Sequence, residues 1–301
     1  MGTILARAFH ARGDNVVVLS RTPRPAAWTV VNWDAETIGP WARELDGADV
    51  AIGLAGRSVN CRYTPENRRA IMDSRVLSTR VLGRAIALAP RPPSVWLQAS
   101  TATIYAHRFD APNDEYTGVI GGAETGVPAA WTFSIDVARA WEAAVDAAAV
   151  PCRTVKMRAA VVMSPDRGGP FDILGSLVRK GLGGAAADGR QWVSWVHDED
   201  MVRAIDFLIQ RHDLSGPINI ASPNPLPNAE FMRALRRAFH APIGLPAPRW
   251  MLSIGAAFMG TETELVLKSR RVVPARLLDA GFRFAWPDWE AAAVDLVKRY
   301  S

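Results

Sequence analysis

The apolar runs Val16-Val17-Val18-Leu19 and Val50-Ala51-Ile52 limit this chain to few architectures. A strand with one face in water alternates polar with apolar residues; one without alternation is buried on both faces, as in a parallel sheet sandwiched by helices. The sequence supplies the helices. Ile4, Leu5, Ala8 and Phe9 recur at helical period and Gly13-Asp14 sits where a C-cap and turn belong, which predicts a helix over Met1–Arg12. Pro65 to Leu88 reads as a long helix with Ile71, Val76, Leu77, Val81, Leu82 and Ile86 inward, and Ser134 to Ala149 as another. "TVVNWD", "DVAIGLAG", "SVWLQAS" and "CRTVKMRAAVVM" read as further strands. Strand and helix in alternation predict an α/β fold, a doubly wound parallel sheet. After about Pro165 the texture changes to short segments broken by Gly and Pro, which suggests a smaller α+β lobe. The expected division is a nucleotide-binding domain over 1–164 and a substrate lobe over 165–301. Gly118 to Ala130, rich in Gly and Ala, reads as a mobile loop.

Composition narrows the class. With 301 residues, 49% of them hydrophobic, the chain can bury a large core. The "MLSIGAAFMG" run is too short to span a bilayer and follows Arg249, and the N-terminus lacks the apolar region and cleavage site of a signal peptide. Gly2 does not open a myristoylation motif, because Ala6 stands where Ser or Thr is required. A cytoplasmic location without membrane partners follows by default. Cys61 and Cys152 make neither a CxxC pair nor a disulfide framework, and buried free thiols are expected. The net charge of +5 raises the question of nucleic acid, but Arg68-Arg69, Arg236-Arg237 and Arg270-Arg271 lie far apart without interleaved aromatics. A solvated basic surface or a site for a small anion fits better. The five dispersed histidines show no metal-ligand spacing.

In such sheets ligands bind beyond the carboxyl ends of the strands, which places Ser20-Arg21, Ala55-Gly56 and Ser100-Thr101 along one rim. Arg21 closes the second strand of a dinucleotide fold. An acidic residue there would bind the ribose 2'-hydroxyl of NAD, whereas an arginine favours the 2'-phosphate of NADP, with Arg24 in support. The alternative is a loop arginine that merely solvates the rim. Ala55 and Gly56 leave room for backbone to approach a ribose or adenine.

"QASTATIYAH" resembles the extended short-chain dehydrogenase/reductase superfamily, where a Ser-rich strand end runs into Val-Tyr-Gly. The resemblance implies that Thr101, four residues before Tyr105, orients a substrate oxygen. It also implies a Tyr-x-x-x-Lys pair on the next helix. Registering Glu142 on the family's helical glutamate puts Ser134 and Ala138 at those positions, so both side chains are gone; Asp136 and Arg139 are the nearest polar groups. "LAGRSVN", "MDSRVLSTRVL", "GRQWVSWVHDEDMVRAI", "GPINIASPNPLPNAEFMRAL" and "RVVPARLLDAGFRFAWPDWEAA" are similar to the atypical epimerase-like branch, which ends in a domain of unknown function, here about 250–301.

That resemblance implies an NADP-binding epimerase or oxidoreductase, with NAD as the other candidate, acting on a small carbonyl or sugar-like substrate. Thr101 would polarise the substrate and Tyr105 would replace the missing proton donor. Ser100 lies beside the expected cofactor site, and Arg75, Trp195 and His197 fall in shared motifs near the cleft. Gly2 matches the last glycine of the family's Gly-Gly-x-Gly-x-x-Gly turn, whose earlier part and strand have no counterpart here. The expectation is a start codon placed too late, with nucleotide binding at stake. The rival reading is a catalytically silent nucleotide-binding regulator, since some members carry a cell-division-inhibitor label. The resemblance also implies that the helices from Pro65 and Ser134 make a homodimer face, as in relatives.

Overall fold

The computed structural model describes residues 1–250 and 263–300; the "MLSIGAAFMG" run lies outside them. The chain opens on helix α1, Gly2–Arg12. Gly13 ends it at φ 97°, a left-handed conformation that glycine adopts without strain, and its N–H closes on the His10 carbonyl at 3.0 Å. Strands β1, Val17–Ser20, and β2, Thr29–Asn32, pair in parallel. After a 3-10 turn at Pro40–Leu45 come β3, Val50–Gly53, and helix α2, Pro65–Leu88. Thr64 caps α2 by accepting the Asn67 N–H, and Pro65 fits the first helical position, where no donor is needed.

Strand β4, Val95–Thr101, and helix α3, Ala129–Asp146, lead to β5, Arg153–Ala159. Helix α3 starts a turn earlier than its apolar pattern suggested, because Pro128 serves as its N-cap. The expected loop at Gly118–Ala130 is pinned: Glu124 accepts the His107 N–H at 2.8 Å, and Ile120 bridges to Tyr105. The expected single strand "CRTVKMRAAVVM" is two. At Ala160 the chain changes partners, so β5 stays in the main sheet while β6, Val161–Met163, pairs with β8, Trp195–His197. Helix α4, Pro170–Arg179, and β7, Trp192–Val193, lie between β6 and β8.

Helix α5, Asp198–Gln210, is followed by β9, Gly216–Ile220, which completes a parallel sheet of order β3-β4-β5-β9. β9 therefore belongs to the main sheet although it falls within 165–301. The short β10, Leu226–Pro227, pairs antiparallel with β7. Helices α6, Asn228–Ala238, α7, Glu264–Leu267, α8, Ala275–Asp279, and α9, Trp289–Arg299, complete the described elements.

Both faces of the sheet are covered. Leu97, Val155, Met157 and Ile218 pack with Leu5, Met201, Ile205 and Leu208 of α1 and α5. On the other face Trp96 packs with Val81, Leu82, Ile86 and Val145, and the Trp141 indole donates to Thr79 across α2 and α3. A second core joins α4, α6 and α9, where Phe231 stacks on Trp289 at 4.0 Å. Cys61 and Cys152 are half-buried rather than buried.

The β1–β2 pair and the main sheet are not hydrogen-bonded to each other. Between them runs a cleft of about 910 Å³, walled by Val16–Ser20 on one side and Asp49–Leu54 on the other, with Leu5 and Phe9 of α1 and Trp33 also lining it. Among the described residues, β1 pairs only with β2 and β3 only with β4, so each strand has an open edge.

Candidate functional site

Gly2, Ser20, Arg21, Ala55 and Gly56 all line this cleft. Their meeting follows from topology: β1 and β3 run out at Ser20 and Gly53, and α1 begins at Gly2. The free N–H groups of the first helical turn make that end attractive to anions. The Met1 amino group lies at the start of the same helix, its pKa lowered by burial against the opposing pull of Asp166. Arg21 and Arg24 are exposed.

Sequence reasoning missed Asp73 and Ser74 of α2, which also reach the cleft. Ser74 accepts the Arg57 N–H at 2.9 Å and so fixes the loop after β3. The space beside Gly56 is taken by Arg75, since a Cβ on Gly56 would lie 3.2 Å from the guanidinium carbon.

Two residues expected at the site, Ser100 on the rim and Tyr105 as proton donor, lie elsewhere. Ser100 is buried, and its hydroxyl donates to Glu142 at 2.6 Å. Tyr105 is 2% exposed and built into the core: its hydroxyl donates to Asn219 and accepts from Arg158, both at 3.0 Å. Burial pushes this phenol up, with Arg158 pulling the other way. The chain turns inward there because the 3-10 turn Ala102–Ile104 follows β4. Thr101 stays half-exposed at the strand end, and its hydroxyl oxygen accepts the Thr103 N–H at 3.1 Å.

The three residues from the shared motifs have structural partners. Arg75 lies over the Trp141 ring at 5.0 Å and donates to the Ile71 carbonyl. Trp195 is buried against Trp289. His197 caps α5 by accepting the Glu199 N–H, while its other ring nitrogen meets Asp295 at 3.1 Å; burial lowers its pKa.

A second polar cluster surrounds Ser134, which lies where the resemblance places a tyrosine. The Ser134 hydroxyl donates to Glu264 at 2.5 Å, and the Tyr63 hydroxyl lies 3.4 Å from Ser134. The Lys268 ammonium donates to the Thr103 carbonyl at 2.9 Å and stands 3.8 Å from Glu264. Arg270 donates to the Thr103 hydroxyl at 3.2 Å. Ala138 is fully buried among Ala102, Ile104 and Tyr105, while Asp136 is exposed and the largely exposed Arg139 donates to the Gly121 carbonyl at 2.9 Å. Tyr63, Glu264 and Lys268 carried no local signal, since Tyr63 lies 71 residues from Ser134 and Glu264 lies 130 from it. Among the described residues no cluster of His, Cys, Asp and Glu is placed to hold a metal ion, and no helix is long and apolar enough to cross a membrane.

A parallel sheet covered on both faces, with a helix start and an arginine facing one cleft at its carboxyl edge, defines a Rossmann-type nucleotide-binding fold. The chain belongs to the NAD dependent epimerase/dehydratase family, whose model matches residues 1–221; a domain of unknown function, DUF1731, matches 247–296. It is 31% identical over 301 residues to the epimerase family protein YfhF of Bacillus subtilis, covering 99% of this chain and 94% of that protein. Among solved structures it is similar to the human epimerase family protein SDR39U1 (isoform 2) with NADPH, at a TM-score of 0.84 and 27% identity over 99% of this chain and 95% of that one. A nucleoside-diphosphate sugar epimerase from Corynebacterium glutamicum matches at a TM-score of 0.74 and 29% identity, covering 99% of this chain and 56% of that one.

Proposed function

We propose that this protein binds NADP and acts as a reductase or epimerase on a small carbonyl or sugar-like compound. One observation carries the reading: Arg21 and the start of α1 line the same cleft at the carboxyl ends of β1 and β3. These residues fit the cofactor, with Arg21 for the 2'-phosphate, the first turn of α1 for the pyrophosphate, and the small side chain of Ala55 for close approach of the ribose. NADPH bound to the human relative supports the assignment. When bound, the cofactor supplies the hydride. Thr101 orients the substrate oxygen, whereas Tyr105, held between Arg158 and Asn219, secures the strand end.

The test is a titration with NADPH and with NADH, following quenching of the tryptophans, Trp33 being in the cleft wall. The slot between β1 and β3 has two open edges, as one further parallel strand requires. NADPH is expected to bind more tightly than NADH by at least about tenfold, and Arg21→Asp to abolish the preference. If neither nucleotide quenches the tryptophans, the assignment is refuted. The absence of the Tyr and Lys side chains at Ser134 and Ala138 favours a second reading, a nucleotide-binding protein without chemistry of its own. NADPH binding without oxidation across a panel of aldehydes and ketones is its signature.

A further inference from the structure

Helix α3 lacks a phenol at Ser134 and an ammonium at Ala138, yet the fold brings a phenol and an ammonium to Ser134 from elsewhere. The phenol is Tyr63, from the segment before α2; the ammonium is Lys268, from the segment after α7. They are joined by hydroxyl and carboxylate. The Tyr63 hydroxyl lies 3.4 Å from that of Ser134, which donates to Glu264 at 2.5 Å, and Glu264 is 3.8 Å from the Lys268 ammonium. Lys268 and Arg270 both donate to Thr103, whose N–H donates in turn to the Thr101 hydroxyl, so the polar chain runs to the strand end.

Burial makes this cluster costly. Side-chain exposure is 0% for Lys268 and 1% for Glu264, with Arg270 alongside at 11%. Two cations and a carboxylate at such depth stabilise a fold less well than apolar residues of similar size, and costly charge clusters gather at functional sites. Burial, with Arg270 adding to it, lowers the Lys268 pKa to about 8, within reach of proton exchange at neutral pH. Glu264 and Glu124 oppose that shift, and His107, which accepts the Ser269 N–H, faces the same group of charges.

We infer that Tyr63 and Lys268, linked through Ser134 and Glu264, form the proton-transfer unit of the site. The inference rests on the reductase reading above. The bound cofactor would supply the hydride for the new C–H bond, and as the carbonyl π bond breaks the oxygen takes the Tyr63 proton. The Lys268 ammonium protonates the Glu264 carboxylate, which passes the proton to Ser134 as that hydroxyl turns from Glu264 to the Tyr63 phenolate; the phenol is restored, Lys268 is left neutral, and one proton from bulk water makes the unit good after product leaves. The nucleotide is oxidised, the carbonyl becomes an alcohol, and one hydride and one proton are consumed.

The first test needs no nucleotide. Ultraviolet difference titration of the protein against Tyr63→Phe isolates one phenol among the four tyrosines. Coupling predicts that Glu264→Gln lowers its midpoint and Lys268→Met raises it, each by about one pH unit. Midpoints that stay put overturn the inference. The second test follows NADPH oxidation with 9,10-phenanthrenequinone. Tyr63→Phe and Ser134→Ala, both small changes for the fold, are expected to lose at least about tenfold in kcat with NADPH quenching unchanged, while Tyr116→Phe serves as the exposed control. Full turnover in Tyr63→Phe, or a wild-type chain that binds NADPH and leaves the quinone unreduced, overturns the inference. Failure of the underlying reading looks different: the wild-type chain binds no NADPH, and the phenol titration still reports on coupling.

Discussion

Arg158 is the residue on which the inner face of the site depends. Two of its nitrogens donate to Glu142, each at 2.8 Å, a third donates to Tyr105, and Ser100 donates to the same carboxylate. Removing the guanidinium leaves a buried carboxylate uncompensated, whereas removing both charges does not. Arg158→Met is expected to cost about 3–5 kcal/mol in urea denaturation, with much of that recovered in the double variant Arg158→Met, Glu142→Gln. A loss below about 1 kcal/mol would show that the pair is solvated in solution.

Lys268 gives a pH-dependent expectation at the same scale. Its folded pKa of about 8 lies below the ordinary value of 10.5. Between those values the unfolded chain binds more protons than the folded one, so this group makes stability rise with pH across that window. Below pH 8 both states are protonated and the contribution is flat. The difference in urea midpoint between wild type and Lys268→Met, measured from pH 7.5 to 10.5, should show this limb in the wild type alone.

At the scale of elements, local chemistry explains what could be read in advance. α2 runs over Pro65–Leu88 as expected, because Thr64-Pro65 marks its start and the inward stripe is long. The rim residues Gly2, Arg21, Ala55 and Gly56 were legible because sheet topology alone puts strand ends and a helix start together. The break between β5 and β6 was hidden, because Ala160 carries no turn signal. Only the geometry of two different neighbours, Ile220 for Ala160 and Ser194 for Val161, moves the chain from one sheet to the other. The Ser134 cluster was equally hidden. Its members are polar residues in ordinary local settings, and only the path of the chain through α7 brings Glu264 and Lys268 to α3.

For the molecule as a whole, the two-piece sheet sets the hierarchy of stability. β4 is hydrogen-bonded on both sides and buried along nearly its full length, whereas β1 has one neighbour and an open edge. Amide exchange should be faster in Val17–Ser20 and Thr29–Asn32 than in Val95–Thr101 by at least about a hundredfold. Equal protection would mean that β1–β2 is held as firmly as the main sheet despite its open edge.

The return of β9 to the main sheet also bears on how such a chain can be assembled by recombination. A crossover at 164/165 would separate β5 from the strand that covers its outer edge, and would strip α5 from the face it shares with α1. Neither product would carry a closed unit. A breakpoint after Ile220 keeps the whole main sheet on one side, and the match of the epimerase/dehydratase family model stops at residue 221. The segment through β9 therefore holds every strand of the main sheet, while Leu277 and Phe282 of the C-terminal remainder still complete the core on one of its faces.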